Sequence, residues 1–246
     1  MMPPPIFFDN WREEMRRAML AHPQHHLDWR LRQAFYLELG NETAWARAFR
    51  GWLAVLSVQH TLPILLRVCP HDRSIFDELS ACIAHLRGEE SPHDLYRLTD
   101  LSYHGHWWPV VHFNGKPVEN AMAVLFASYK AMQEIKFWDE ELGWLDPFQS
   151  STLRDEHGRE VTDTTDEEWV HVAGVGDAAS AAAVASACSE DSTMCEPERL
   201  KTFWLWWLDE AWRLAARLAM PDPQAQEKTV TQAAPQTKGG GDDLPF

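Results

Sequence analysis

Residues 196–220 read "EPERLKTFWLWWLDEAWRLAARLAM", and the spacing of their apolar members decides the fold class. Leu200, Phe203, Trp204, Trp207, Leu208, Ala211, Leu214, Ala215 and Leu218 recur at steps of three and four. That is the period of an α-helix buried along one side. Pro197 suits a first helical position, and Glu196 and Glu198 suit the positive end of the helix. Trp206 and Trp212 fall outside the stripe. Each is expected either to meet another element or to stand exposed as a contact surface.

The same pattern runs upstream. Asp9 is a plausible N-cap for "NWREEMRRAMLAH", with Pro23 closing the segment. Asp28 opens "DWRLRQAFYLELG", and Gly40 follows its end. Thr43 opens "AWARAFRGWLAVLSVQHTLPILLRV", where Trp45, Phe49, Trp52, Leu53 and Leu56 mark an apolar face and Pro63 predicts a break or kink. Asp72 is placed to cap "RSIFDELSACIAHLRG", whose stripe is Ile75, Leu79, Cys82, Ile83 and Leu86 and whose stop is Gly88. A loop or short extended excursion is expected over "SYHGHWWPVVHFNGKP", then a helix around "VENAMAVLFASYKAMQEIKFW". "DAASAAAVASACSE" is helix-prone and small enough to pack close to a neighbour. From Pro221 onward, proline, glutamine, threonine and glycine dominate without apolar periodicity. The expected architecture is mainly α: a single helical bundle or irregular helical array over residues 5–220, followed by a disordered linker and acidic tip over 221–246.

Composition narrows the partners. Thirty-seven acids against 22 bases give a formal charge of −15 in 246 residues, which disfavours generic attraction to nucleic acid or anionic lipid and favours a basic partner. From Asp139 to Asp191 there are fourteen acids and two bases, Arg154 and Arg159, so most of the imbalance lies there. Four cysteines, Cys69, Cys82, Cys188 and Cys195, show no CxxC pair and no regular spacing, so neither a disulfide framework nor a zinc knuckle is expected. The start of the chain has no signal-like pattern and there is no run of 18 apolar residues, so a cytoplasmic protein with no membrane contact is expected.

Chemistry-bearing motifs are sparse. His104, His106 and His112 in "YHGHWWPVVH" form the best metal candidate, because an HxH pair on an extended segment aims two imidazoles to one side. No fourth ligand is identifiable, and a structural role is the more economical reading of those histidines, as it is of His22, His25 and His26. No GxSxG elbow, phosphate-binding glycine loop or HExxH helix is present, and the run Asp166, Glu167 and Glu168 reads as a solvated helix start. No catalytic residue, metal or cofactor is assigned.

Two resemblances sharpen the expectation. "GDAASAAAVASACSE" followed by "EPERLKTFWLWWLDEAW" is similar to the end of immunity protein family five of bacterial polymorphic toxin systems, and "LPILLRVCPHDRSIFDELSACIAHLRGEE" resembles its N-terminal portion. The matching positions are Leu62, Pro63, Pro70, Asp72, Arg73, Arg87, Gly88 and Glu89, then Asp177, Phe203, Trp204, Trp206, Trp207, Leu208, Glu210 and Ala211, within about residues 50 to 215. The resemblance implies a non-enzymatic protein that binds and blocks a protein toxin, and the acidic balance suits a basic partner. Separately, "GGGDDLPF" resembles the acidic tip of bacterial single-stranded DNA-binding proteins. That resemblance implies that Asp242, Asp243, Leu244, Pro245 and Phe246 dock onto replication or repair proteins through an aromatic anchor and paired carboxylates. Partner-binding residues are therefore expected at Asp242 to Phe246, Trp206 and Trp212.

Overall fold

Helix α1 (Pro5–Ala21) starts on a proline, whose fixed φ suits a first turn and whose missing N–H costs no helical bond there. The computed structural model describes residues 5–40, 42–71, 73–89, 112–113, 116–117, 119–139, 177–189 and 195–220. Because α1 begins at Pro5, Asp9 lies inside the helix and is not its N-cap; it pairs with Arg12 one turn on, at 3.5 Å. Helix α2 (Trp29–Leu39) is capped as expected by Asp28, which accepts the Arg30 N–H, and ends at Gly40 with φ +72°. A glycine takes that left-handed conformation without a Cβ penalty.

Thr43 caps α3 (Ala44–Val68) by accepting the Ala46 N–H. The expected break at Pro63 does not occur, and α3 continues to Val68. Pro63 and Gln59, whose carbonyl loses its helical partner, are both solvent-exposed, so water can satisfy the freed oxygen. By length and composition α3 could cross a membrane, yet more than half of that stretch is buried. It is the central helix here, packed against α4 (Ser74–Leu86), α5 (Glu119–Asp139), α6 (Ala178–Ala187) and the C-terminal helix. Gly51 allows the closest approach, since a Cβ there would meet Leu86 Cδ2 at 2.5 Å and Ile135 Cγ1 at 3.1 Å. Arg73, not Asp72, occupies the N-cap of α4, without a side-chain cap bond; Asp72 lies outside the described residues. Between α4 and α5, β1 (His112–Phe113) pairs antiparallel with β2 (Lys116–Pro117).

The last segment is α7 (Pro197–Trp206), a π turn (Trp207–Ala211) and α8 (Trp212–Leu218). As far as the first residues of the π turn the buried face is the expected one: Leu200, Phe203, Trp204, Trp207 and Leu208. Within the turn the Trp212 N–H bonds the Trp207 carbonyl, five residues back, so one extra residue is accommodated and the stripe advances by one. The buried positions that follow are Ala211, Trp212, Ala215 and Ala219, while Leu214 and Leu218 are 40% and 37% exposed. The expected burial of Leu214 and Leu218 is corrected accordingly.

Aromatic side chains from four helices fill the centre. Trp212 stacks on Phe35 with ring centroids 4.3 Å apart and meets Phe8, Phe49 and Trp207 edge-on. Trp45 stacks on Phe49 at 5.2 Å. Such contacts add to the area they remove from water. The helices share one hydrophobic core, and among the described residues the fold is mainly α.

Candidate functional site

Trp206, the last residue of α7, points away from the stripe and lies half-buried against α3. Its ring stacks on His60 with centroids 3.7 Å apart and planes 20° from parallel. Phe203 closes the inner side, 5.7 Å from the His60 ring and 5.6 Å from Trp206. Helical spacing explains the group: Phe203 and Trp206 are one turn apart on α7, and His60 projects from the exposed side of α3. Covering one imidazole face removes it from water and lowers the His60 pKa below its ordinary value, which favours the neutral ring. The outcome is a flat, neutral aromatic plate at the surface.

The same C-terminal segment also carries ion pairs. Asp209, in the π turn, accepts from Arg12 at 3.2 Å and from both terminal nitrogens of Arg16, one at 3.1 Å. The Arg16 hydrogen bond, opposed by partial burial, holds the Asp209 carboxyl below its usual value. Glu210 pairs with Arg213 across an exposed turn, and Glu198 lies 3.7 Å from the His25 ring.

A second cluster is internal. Arg32 of α2 and Asp177, the N-cap of α6, are fully buried and paired at 3.1 Å. Arg32 also donates to the Leu27 carbonyl and the Ser180 hydroxyl, and its guanidinium sits 4.9 Å over the Trp204 ring. Asp177 accepts from the Ser180 N–H at 2.8 Å and its hydroxyl at 2.6 Å. Glu134 of α5 accepts the Ala178 N–H at 2.5 Å, so two carboxyls share one helix N-terminus. Burial, reinforced by Asp177, pushes the Glu134 pKa up to about 8. Burial lowers that of Lys130, one turn earlier, to about 8. These groups fasten α2, α5 and α6 together, because each charge is stable there only while its partners stay in place. They face the interior and offer no contact to a macromolecule.

The structure separates the two tryptophans singled out by the sequence. Trp206 is only partly buried and packs on the edge of the core, whereas Trp212 is 2% exposed and belongs to the core, so it is not a contact residue; the π turn rotates it inward. Asp242, Asp243, Leu244, Pro245 and Phe246 lie outside the described residues, as do His104, His106 and most of the acidic stretch. Only the backbone of His112 is described, in β1. Among the described residues no group of three or more histidine, cysteine or acidic side chains could hold a metal. Cys188 and Cys195 form a disulfide, with Cα atoms 4.1 Å apart, which corrects the expectation of unlinked cysteines. The bond joins the end of α6 to the start of α7, two points that irregular cysteine spacing did not reveal as neighbours.

Sequence reasoning missed His60, Arg32 and Glu134. The signal for the last two was present: Arg32 stands three and four residues before Phe35 and Tyr36, and Glu134 three after Ala131, so both charges occupy core-facing positions. Of the positions matched to the immunity family, Asp177 and Trp204 are brought together around Arg32. The chain matches no protein-family model and no curated protein.

Proposed function

We propose that this chain is a non-enzymatic binding protein that neutralises a basic protein toxin, in the manner of an immunity protein. The observation that carries the reading is the partly buried Trp206 stacked on the exposed His60. An aromatic plate held rigid by a neighbouring ring loses little conformational freedom on binding, and tryptophan is among the residues that dominate interface energies. Rigid support from α3 and α7 favours recognition of a preformed surface. The formal charge of −15 supports a basic partner, whose approach it would accelerate. The resemblance of residues 50–215 to immunity protein family five supports the same class.

The test is co-expression with a panel of basic bacterial toxin domains that arrest growth. Restored growth with one toxin, accompanied by a stoichiometric complex of the purified proteins, is the expected result. Turnover of a substrate by the purified chain, with no toxin neutralised, would contradict it.

A second reading is favoured by the sequence Asp242–Phe246, which carries two acids, an aliphatic anchor and an aromatic anchor. On this reading the chain is an accessory factor that docks onto replication or repair proteins recognising the tips of single-stranded DNA-binding proteins. Replacing Phe246 with alanine should then abolish capture of those proteins while leaving the folded body unchanged.

A further inference from the structure

The turn that carries Trp212 into the core has an opposite effect on the other side of α8. Leu214 and Leu218, one turn apart and on one side, face solvent at 40% and 37% exposure, and Met220 beyond them is 52% exposed. Arg213 and Arg217 are exposed beside them. Helix α8 reads "WRLAARL", with two bases and no acid, in a chain whose formal charge is −15. Arg213 shares its charge with Glu210, whereas Arg217 makes no ion pair among the described residues. This face combines an aliphatic ridge with positive charge in an otherwise acidic protein.

We propose that the outward face of α8 is an intramolecular dock for the segment Asp242–Phe246. The two sequences are complementary in kind: Asp242 and Asp243 match Arg213 and Arg217, and Leu244 and Phe246 match the Leu214–Leu218 ridge. Charge-assisted hydrogen bonds to guanidinium and burial of an aromatic anchor are the two terms such a contact uses. Reach is not limiting. Asp242 lies 22 residues beyond Met220, a length that spans up to about 70 Å when extended, while α8 is about 10 Å long. Covalent attachment also makes the contact effectively unimolecular, so a weak match suffices. The consequence is autoinhibition: a protein that takes Asp242–Phe246 must compete with α8, and the ridge opens only when the segment leaves. The proposal stands independently of toxin binding and shares only the segment with the second reading above.

The test titrates a labelled peptide of residues 239–246, GGGDDLPF, into three full-length proteins: the intact chain, the Asp242→Lys/Asp243→Lys variant, and that variant with Leu214→Glu. Circular dichroism verifies that each is folded, and Leu214 is exposed enough for the substitution not to disturb the core. The peptide should bind the Asp242→Lys/Asp243→Lys variant about tenfold more tightly than the intact chain, and Leu214→Glu should remove that binding. Equal affinity for the intact chain and the open variant would overturn the proposal, as would absence of binding or binding indifferent to Leu214→Glu. Concentration-dependent dimerisation of the intact chain that Asp242→Lys/Asp243→Lys abolishes would show docking between copies and would overturn the intramolecular form.

Discussion

The backbone N–H of Trp212 bonds the carbonyl of Trp207, five residues earlier, and this one bond decides which side of the last helix is inside. With it, Trp212 stacks on Phe35 and Leu214 and Leu218 face water. With an ordinary α turn, the two leucines would face the core and the tryptophan would swing out. The extra residue therefore shapes the aromatic centre and the outer surface of α8 together.

Deleting one residue from this turn is the direct probe of its role. In an ordinary helix a single deletion rotates everything beyond it by about 100° and misplaces the buried face. Removing the exposed Glu210 should instead convert the π turn to an α turn while leaving Trp212, Ala215 and Ala219 inward. The variant should keep its helical circular dichroism and cooperative melting, whereas removal of Thr202 from α7 should abolish cooperative unfolding. Loss of folding in both would show that the turn is not a tolerated insertion.

The two tryptophans that the sequence treats alike should respond differently. Trp212→Ala removes a ring buried among Phe8, Phe35, Phe49 and Trp207 and should cost about 3–5 kcal/mol of stability. Trp206→Ala removes a partly buried ring with one stacked neighbour and should cost about 1 kcal/mol. Urea denaturation of both variants checks the ratio; similar losses would mean that Trp206 is structural.

Glu134 supplies a pH signature. Its carboxyl titrates near 8 in the folded state against an ordinary value in the unfolded chain, so the folded state holds the extra proton between the two values. That contribution to stability is full below the unfolded pKa and is lost as pH rises through the folded one. Asp177, Lys130, Arg32 and Tyr36 face the same region. Lys130, titrating near 8 against 10.5, adds the opposite slope only above pH 8. Glu134→Gln keeps an acceptor for the Ala178 N–H and has no proton to lose. The variant should show a flatter stability profile between pH 5 and 8, with the difference from the wild type reaching on the order of 2 kcal/mol. Parallel profiles would contradict the assignment.

The Cys188–Cys195 link closes a short loop between α6 and α7. Cys188→Ser should lower stability by about 2 kcal/mol under oxidising conditions and by nothing after reduction of both proteins. Mass spectrometry of the alkylated protein, with and without reductant, counts the two thiols independently.

Much of the fold is legible in the apolar spacing. Asp28, Gly40 and Thr43 act where local chemistry predicts, because caps and left-handed stops depend on neighbours within a turn. The register beyond Trp207 was not legible, since Trp212, Ala215 and Ala219 are as apolar as Leu214, Ala215 and Leu218, and only contact with Phe35 and Phe8 selects between them. Arg32 and Glu134 stand on core-facing positions, but a lone charge on a stripe reads as an exposed edge until its distant partner is known. Trp206 was visible as an outlier from the stripe. Its partner His60, 146 residues earlier, was not, because nothing local to α3 distinguishes that imidazole from other exposed ones.

The most direct test of the account is the affinity of the neutralised toxin for the intact protein and for Trp206→Ala, measured by calorimetry at low and moderate salt. The account predicts at least about tenfold weaker binding for the variant, with both affinities falling as salt rises. Unchanged affinity in a correctly folded Trp206→Ala protein would contradict it and would move recognition away from the Trp206–His60 plate.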